Sequence, residues 1–162
     1  MPGETAEAYR VFALQLLQAK PQGAVVRSDL EAYLDGLAAE ARSAGGRSPV
    51  AASDLLRDAA RAQALEMLMG NYVGHQSQSG YQFKHRFAAF ADPYEHGNHG
   101  ENAARDRQDG PVDRAKARRL FQQWLDSTGH RRNLMDRNYR HVSTGAVEFG
   151  HHLYAVQIFW ER

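Results

Sequence analysis

The sequence predicts an α+β fold, and three observations carry that prediction. Segments with helical apolar spacing fill most of the chain before residue 128. The chain then closes on two β-rich segments that meet at Gly150, the pattern of a terminal hairpin. Its 162 residues, 43% hydrophobic and 24% charged, suit one domain with a real apolar core. Helices first and a hairpin last make the class α+β rather than a parallel sheet with crossover helices.

The first helical pattern covers residues 5–19, where Tyr9, Phe12, Leu16 and Leu17 share a face until Pro21-Gln22-Gly23 breaks it. A second helix opens at Ser28, with Glu31 placed to complete a capping box. Its stripe is Leu30, Tyr33, Leu34, Leu37 and Ala41, and Gly45-Gly46 ends it. A third begins near Ser53, read as its N-cap, and extends to about residue 72. On it Leu56, Ala59, Ala60, Gln63, Ala64 and Met67 form a face whose small side chains suit close packing. Residues 74–112, rich in Gly, His, Asn, Asp and aromatics, read as a long packed loop with one short strand. A fourth helix runs from about Asp113 to Ser127, burying Ala117, Leu120, Phe121, Trp124 and Leu125, and Gly129 follows at the C-cap position. Residues 142–149 and 153–160 are the two closing strands.

Composition narrows function. A net charge of +1 gives no global electrostatic argument for a nucleic-acid or membrane partner. The absence of cysteine excludes disulfides, a Cys nucleophile and Cys-ligated zinc. No apolar run approaches the ~20 residues of a transmembrane helix. The start, Met1-Pro2-Gly3-Glu4, lacks the basic and apolar regions of a signal peptide. The expectation is a cytoplasmic protein if Met1 is the native start, or an exported one if a leader has been removed.

Four segments carry chemistry, in this order: Gly74-His75-Gln76-Ser77, Gly100-Glu101-Asn102, Trp124-Leu125-Asp126-Ser127-Thr128-Gly129-His130-Arg131-Arg132-Asn133, and the closing Tyr154-Ala155-Val156-Gln157-Ile158-Phe159-Trp160. With Arg86 between the first histidine and the glutamate, they resemble the bacterial SCP-like branch of the CAP superfamily. The resemblance covers about residues 28–160 and leaves residues 1–27 as an N-terminal helical extension. It implies an α-β-α sandwich with a small central antiparallel sheet. It also implies a cleft where His75, Glu101 and His130 converge, supported by Ser127, Asn102, Arg131, Asn133, Gln157 and Arg86. A second glutamate seen in eukaryotic members is matched here by Ser127, so a mechanism that needs two carboxylates lacks one of them.

Two imidazoles and a carboxylate are the ligand set of an open zinc site, and equally an acid–base pair. They are also a polar network that any buried cluster would have to form. All three readings stay open on sequence, and no catalytic residue is assigned. His96 and His99 read as a solvated loop more readily than as a second metal pair, His151 and His152 as turn residues, and Trp124 and Trp160 as core. Arg118, Arg119, Arg131 and Arg132 form a basic face that would also suit an anionic group. Two functions follow. One is a secreted or cell-envelope module that binds a small ligand (a lipid or a cell-wall fragment) or a protein. The other is a zinc-dependent hydrolase using His75, Glu101 and His130.

Overall fold

The structure, a computed structural model, describes residues 2–162. In chain order the elements are α1 (Pro2–Gln18), β1 (Val25–Val26), α2 (Ser28–Ala44), β2 (Ala51–Ala52), α3 (Arg57–Gly70), α4 (Phe83–Phe90), α5 (Pro93–His96), β3 (His99–Asp106), α6 (Arg114–Asp126), α7 (Thr128–Leu134), β4 (His141–Phe149) and β5 (His152–Trp160). The sheet order is β1-β4-β5-β3, antiparallel throughout, with two-residue β2 lying parallel beside the start of β4. The α+β class and the hairpin over residues 142–160 are as the sequence predicts.

Strand alternation sends successive side chains to opposite faces, and each face carries its own core. One face packs Ala103, Val147, Val156, Ile158 and Trp160 against Leu56 at the N-cap of α3, Ala59, Ala60 and Ala64 within it, and Phe87 of α4. The other packs Ala104, Val142, Ala146, Ala155 and Phe159 against Leu30, Leu34 and Ala38 of α2 and Leu120, Phe121 and Trp124 of α6. The result is the three-layer α-β-α sandwich. Helix α1 lies outside α3 and α4, where Tyr9, Ala13 and Phe12 meet Ala62, Tyr81 and Phe90.

Gly145 sets the spacing of one layer. A methyl group there would overlap the backbone of Ala60 and Arg61, so α3 sits directly on β4. The small residues expected on the third helix serve this close approach. Along the outer edge of β4, between β1 and β2, side chains replace a neighbouring strand. Glu31 accepts from the Ala146 N–H (3.1 Å), and the Arg57 guanidinium donates to the Thr144 carbonyl (2.9 Å). The same residues tie α2 to α3 through Glu31–Arg61 (2.7 Å) and Asp35–Arg57 (3.1 Å).

Several sequence expectations need correction. Glu31 closes no capping box: Ser28 is already helical, Arg27 is the N-cap, and the Glu31 carboxylate is buried in the clasp just described. Ser53 caps a turn rather than α3: its hydroxyl accepts from the Leu55 N–H and from no N–H of the helix, which starts at Arg57. The segment 74–112 is no loop with one short strand. It holds helices α4 and α5 and the eight-residue strand β3, because Phe87 and the aliphatic stem of Arg86 bury against the sheet. Gly129 caps nothing; it lies inside α7, a further short helix after Ser127.

Candidate functional site

Strand β3 explains the Gly-Glu-Asn motif residue by residue. Glu101 faces the α3–α4 layer, whereas Gly100 and Asn102 face α6–α7. At Gly100 a Cβ would collide with the Asn133 side chain and the Tyr139 hydroxyl, so glycine makes room for α7. Asn102 then pins α7, donating to the His130 carbonyl (3.0 Å) and accepting from the Asn133 amide (3.1 Å). Tyr139 completes the chain by donating to Asn133 (2.9 Å). Burial pushes the Tyr139 hydroxyl up to about 12, so it stays a donor at any ordinary pH.

On the other face, Glu101 meets Arg86. The Arg86 side chain is fully buried, and its Nη2 donates to both Glu101 oxygens at 2.7 and 2.9 Å. Burial weakens the guanidinium's hold on its proton more than any other single influence, but the charge and hydrogen bonds of Glu101 together with the neighbouring Tyr9 hydroxyl raise it above its ordinary value. The same Arg86 nitrogen donates to the His75 carbonyl (2.6 Å), and its Nη1 donates to Gln63 (3.1 Å). Gln63 in turn donates to the carbonyls of Gly74 (2.7 Å) and Gln76 (3.3 Å). Two buried side chains thus hold three consecutive carbonyls of the loop that presents His75. Behind them, the Tyr9 hydroxyl of α1 lies beside Arg86 without a well-formed hydrogen bond. Burial raises it well above its ordinary value.

The His75 ring leaves this frame half-exposed, 54% by side chain, with Nδ1 2.9 Å from Glu101 Oε1. His130 comes from the opposite layer, at α7, and is half-buried. Its ring is held below the usual histidine value, by burial first and then by the charge of His75, so the two imidazoles sense each other across the edge of β3. Its Nδ1 is buried with no hydrogen-bond partner among the described residues. The opening between the layers is a groove of about 440 Å³ that includes His130, Ser127, Trp124 and Arg105.

His75, Glu101 and Arg86 are thus bonded together on one face of β3, and Asn102, Asn133 and the His130 carbonyl on the other; His130 and Ser127 line the groove, whereas His75 lines a separate opening with Tyr72 and Gln76. Two sequence candidates lie elsewhere. Arg131 is exposed on α7. Gln157 is fully buried on the α2 face, donating to the Leu34 carbonyl and to Thr144, both at 3.0 Å. It shares a register row with Asn102, but the α2 backbone lies over it. Sequence reasoning left out Gln63 as a site residue, although a glutamine on an otherwise apolar stripe was its signal. It also left out Tyr9 and Tyr139, which look like ordinary core aromatics.

The donors do not fit a zinc centre. No group of three His, Asp or Glu side chains among the described residues is arranged to hold a metal ion. The physical reason is Arg86: a buried guanidinium occupies both Glu101 oxygens, where a cation would have to sit. His96 and His99 do not form a metal pair or a solvated loop either. His99 opens β3 and stacks on Phe87 at 4.0 Å, while His96 Nδ1 contacts the Arg162 carbonyl.

A family model described as "CAP: Cysteine-rich secretory protein family" matches residues 36–160. The uncharacterized protein YkwD of Bacillus subtilis is 32% identical over 109 residues, which are 67% of this chain and 39% of that protein. The chain thus spans about two fifths of that relative's length. Among solved structures, an outer surface protein of Borrelia burgdorferi aligns with a TM-score of 0.72 at 16% identity, over 86% of this chain and 97% of that one. An extracellular protein containing a SCP domain from Bacillus anthracis aligns with a TM-score of 0.66 at 20% identity, over 83% and 41%. A cysteine-rich secretory protein from Staphylococcus aureus aligns at 0.58 and 16% identity, over 83% and 39%. At these identities the structural matches speak for the fold.

Proposed function

The chain belongs to the CAP (cysteine-rich secretory protein) family, and from that premise we propose that it is a binding module of the secreted or cell-envelope fraction. It takes a small ligand, such as a lipid or a cell-wall fragment, or a segment of a protein, in the cleft of His75, Glu101 and His130. Residues 28–162 form the body of this module, and the residues before them an extension in which α1 packs on α3 and α4 and β1 adds to β4. Support for the location comes from structural neighbours with extracellular or outer-surface names.

The observation that carries the binding reading is the buried Arg86–Glu101 pair. It is built to hold the half-exposed His75 ring and its loop in one place, not to release a proton or a metal ligand. The carboxylate that would act as a base is already shared between a guanidinium and an imidazole. The zinc hydrolase alternative lacks a free carboxylate ligand for the same reason.

The test is a nuclear magnetic resonance titration of isotope-labelled protein with palmitate, with muramyl dipeptide and with anionic phospholipid vesicles. At least one should shift the signals of His75, Glu101 and His130 together, and His75→Ala should weaken that binding about tenfold while the protein stays folded. Shifts confined to surfaces away from these residues would overturn the reading.

A further inference from the structure

Strand β3 ends the sheet on the side of the cleft. Its hydrogen-bond parity follows from the pairing with β5. The Glu161 N–H donates to the Asn98 carbonyl, so the even-numbered residues that continue this ladder bond to β5. Glu101, Ala103 and Arg105 consequently turn their N–H and C=O groups to the free edge. The Arg105 carbonyl confirms the direction, since it accepts from the exposed Gln123 side chain of α6 (2.9 Å). Glu101 is 7% exposed as a residue but 1% by side chain, so what solvent reaches there is main chain. No hydrogen bond from the described residues fills the outward groups of Ala103.

The groove runs along this edge, with Gln123, Trp124 and Ser127 of α6 and its junction on one side and Val73 on the other. Arg105 and Arg107 line it, and no Asp or Glu does. The nearby Asp106 points away and is held by Arg119 at 2.6 Å. The Trp124 indole N–H is buried without a partner among the described residues, a further donor on a wall residue. An edge with unfilled backbone groups recognises another extended backbone, and a wall with two cations and no anion selects for negative charge.

We propose that the groove binds an acidic peptide in extended conformation, which adds to the free edge of β3 at Ala103 and Arg105 and places its carboxylates against Arg105 and Arg107. This rests on the binding reading of the cleft and names the chemical class of its ligand. Gln123 gives up the Arg105 carbonyl as the peptide pairs. Side chains of alternate peptide residues then face the α6 wall and the Val73 wall.

The experiment measures fluorescence anisotropy with a labelled peptide of alternating valine and aspartate. Its valine–lysine counterpart, the same acidic peptide N-methylated at alternate residues, and poly(glycerol phosphate) as competitor complete the set. The acidic peptide should bind at least tenfold tighter than the lysine peptide and than the N-methylated one. Changing Arg105 and Arg107 together to alanine should weaken it about tenfold. Ser127→Glu, which adds a carboxylate to the wall, should weaken the acidic peptide and strengthen the lysine one, with melting curves showing that both variants fold. Equal binding of the N-methylated peptide, or displacement by poly(glycerol phosphate) at matched charge, would make the groove a general polyanion site and overturn the proposal. No binding of any peptide up to millimolar concentration would overturn it as well. If a ligand from the titration above still shifts His75 and His130 in that case, the cleft reading stands and only the peptide assignment falls.

Discussion

Arg86 has no carboxylate partner but Glu101 among the described residues, and Glu101 has beside the guanidinium only the His75 ring, so removing one member of the pair leaves the other poorly compensated in the interior. Truncating one member of a buried pair typically costs about 3–5 kcal/mol, because the remaining charge is left uncompensated. Arg86→Met should therefore lower stability by about that amount in urea denaturation. Replacing both, Arg86→Met with Glu101→Leu, should recover a large part of the loss, since two apolar side chains leave no orphaned charge. If the double variant is as unstable as the single one, the pair is not what couples them. The two ends of this chain were legible in the sequence: His75 and Glu101 stand in short motifs whose order is recognisable. Its middle was less so. Gln63, which holds two loop carbonyls, carries no motif, and what it bonds to is fixed only when α3, α4 and the loop come together.

At the scale of elements, two glycines with opposite surroundings give opposite expectations. Gly145 touches the α3 backbone, which cannot move aside as a flexible side chain can. Gly145→Ala should therefore destabilise by about 3 kcal/mol, the upper end of overpacking effects. Gly129 lies inside α7 with nothing near its missing Cβ and an ordinary backbone conformation. Gly129→Ala should stabilise by about 0.5–1 kcal/mol, the helical advantage of alanine over glycine. Denaturation midpoints of the two variants check both signs. The sequence placed Gly129 at the end of a helix because glycine so often ends one. The actual break is at Ser127, whose extended backbone (φ −93°, ψ 124°) separates α6 from α7. Helix α4 escaped notice for a different reason. Its eight residues are too few to show a period, and its helicity is secured by Phe87 and Arg86 docking on a sheet that lies elsewhere in the chain.

Over the whole molecule, the two helical layers are joined around the edge of β4 by Asp35–Arg57 and Glu31–Arg61, and Asp35 gives that clasp a pH dependence. Burial, only partly offset by the Thr144 hydroxyl and the Arg57 charge, raises Asp35 from 3.8 to about 6. The folded state then binds a proton more readily than the unfolded chain. Its contribution is fully present below about pH 3.8 and is lost as pH rises through about 6, by on the order of 3 kcal/mol. His130, His141 and His152 act in the opposite sense. Burial lowers each of them first, so their contribution is present above the unfolded value near 6.5 and is lost as pH falls through their folded values. Asp35→Asn should remove the first dependence and keep the second. Urea denaturation at intervals from pH 4 to pH 7 should show that variant gaining stability with pH relative to the wild type. Parallel profiles would mean that Asp35 stays ionised in the fold. The class of the fold was readable from the chain because the order of helices and hairpin survives in one dimension. The clasp was not, because Glu31 and Arg61 stand thirty positions apart on what look like two independent amphipathic helices.

Strand β5 lies between β3 and β4, yet it follows both of them in the chain. Until residues 152–160 are available, β3 and β4 have no strand to pair with each other through, and both apolar faces of the future sheet are incomplete. A chain that stops before His152 should therefore hold its helices loosely and be cut by protease more readily than the full one, a difference that limited proteolysis of a 1–151 fragment would read. Strand β5 is in this sense a latch, the element that joins β3 to β4 and completes both apolar faces of the sheet.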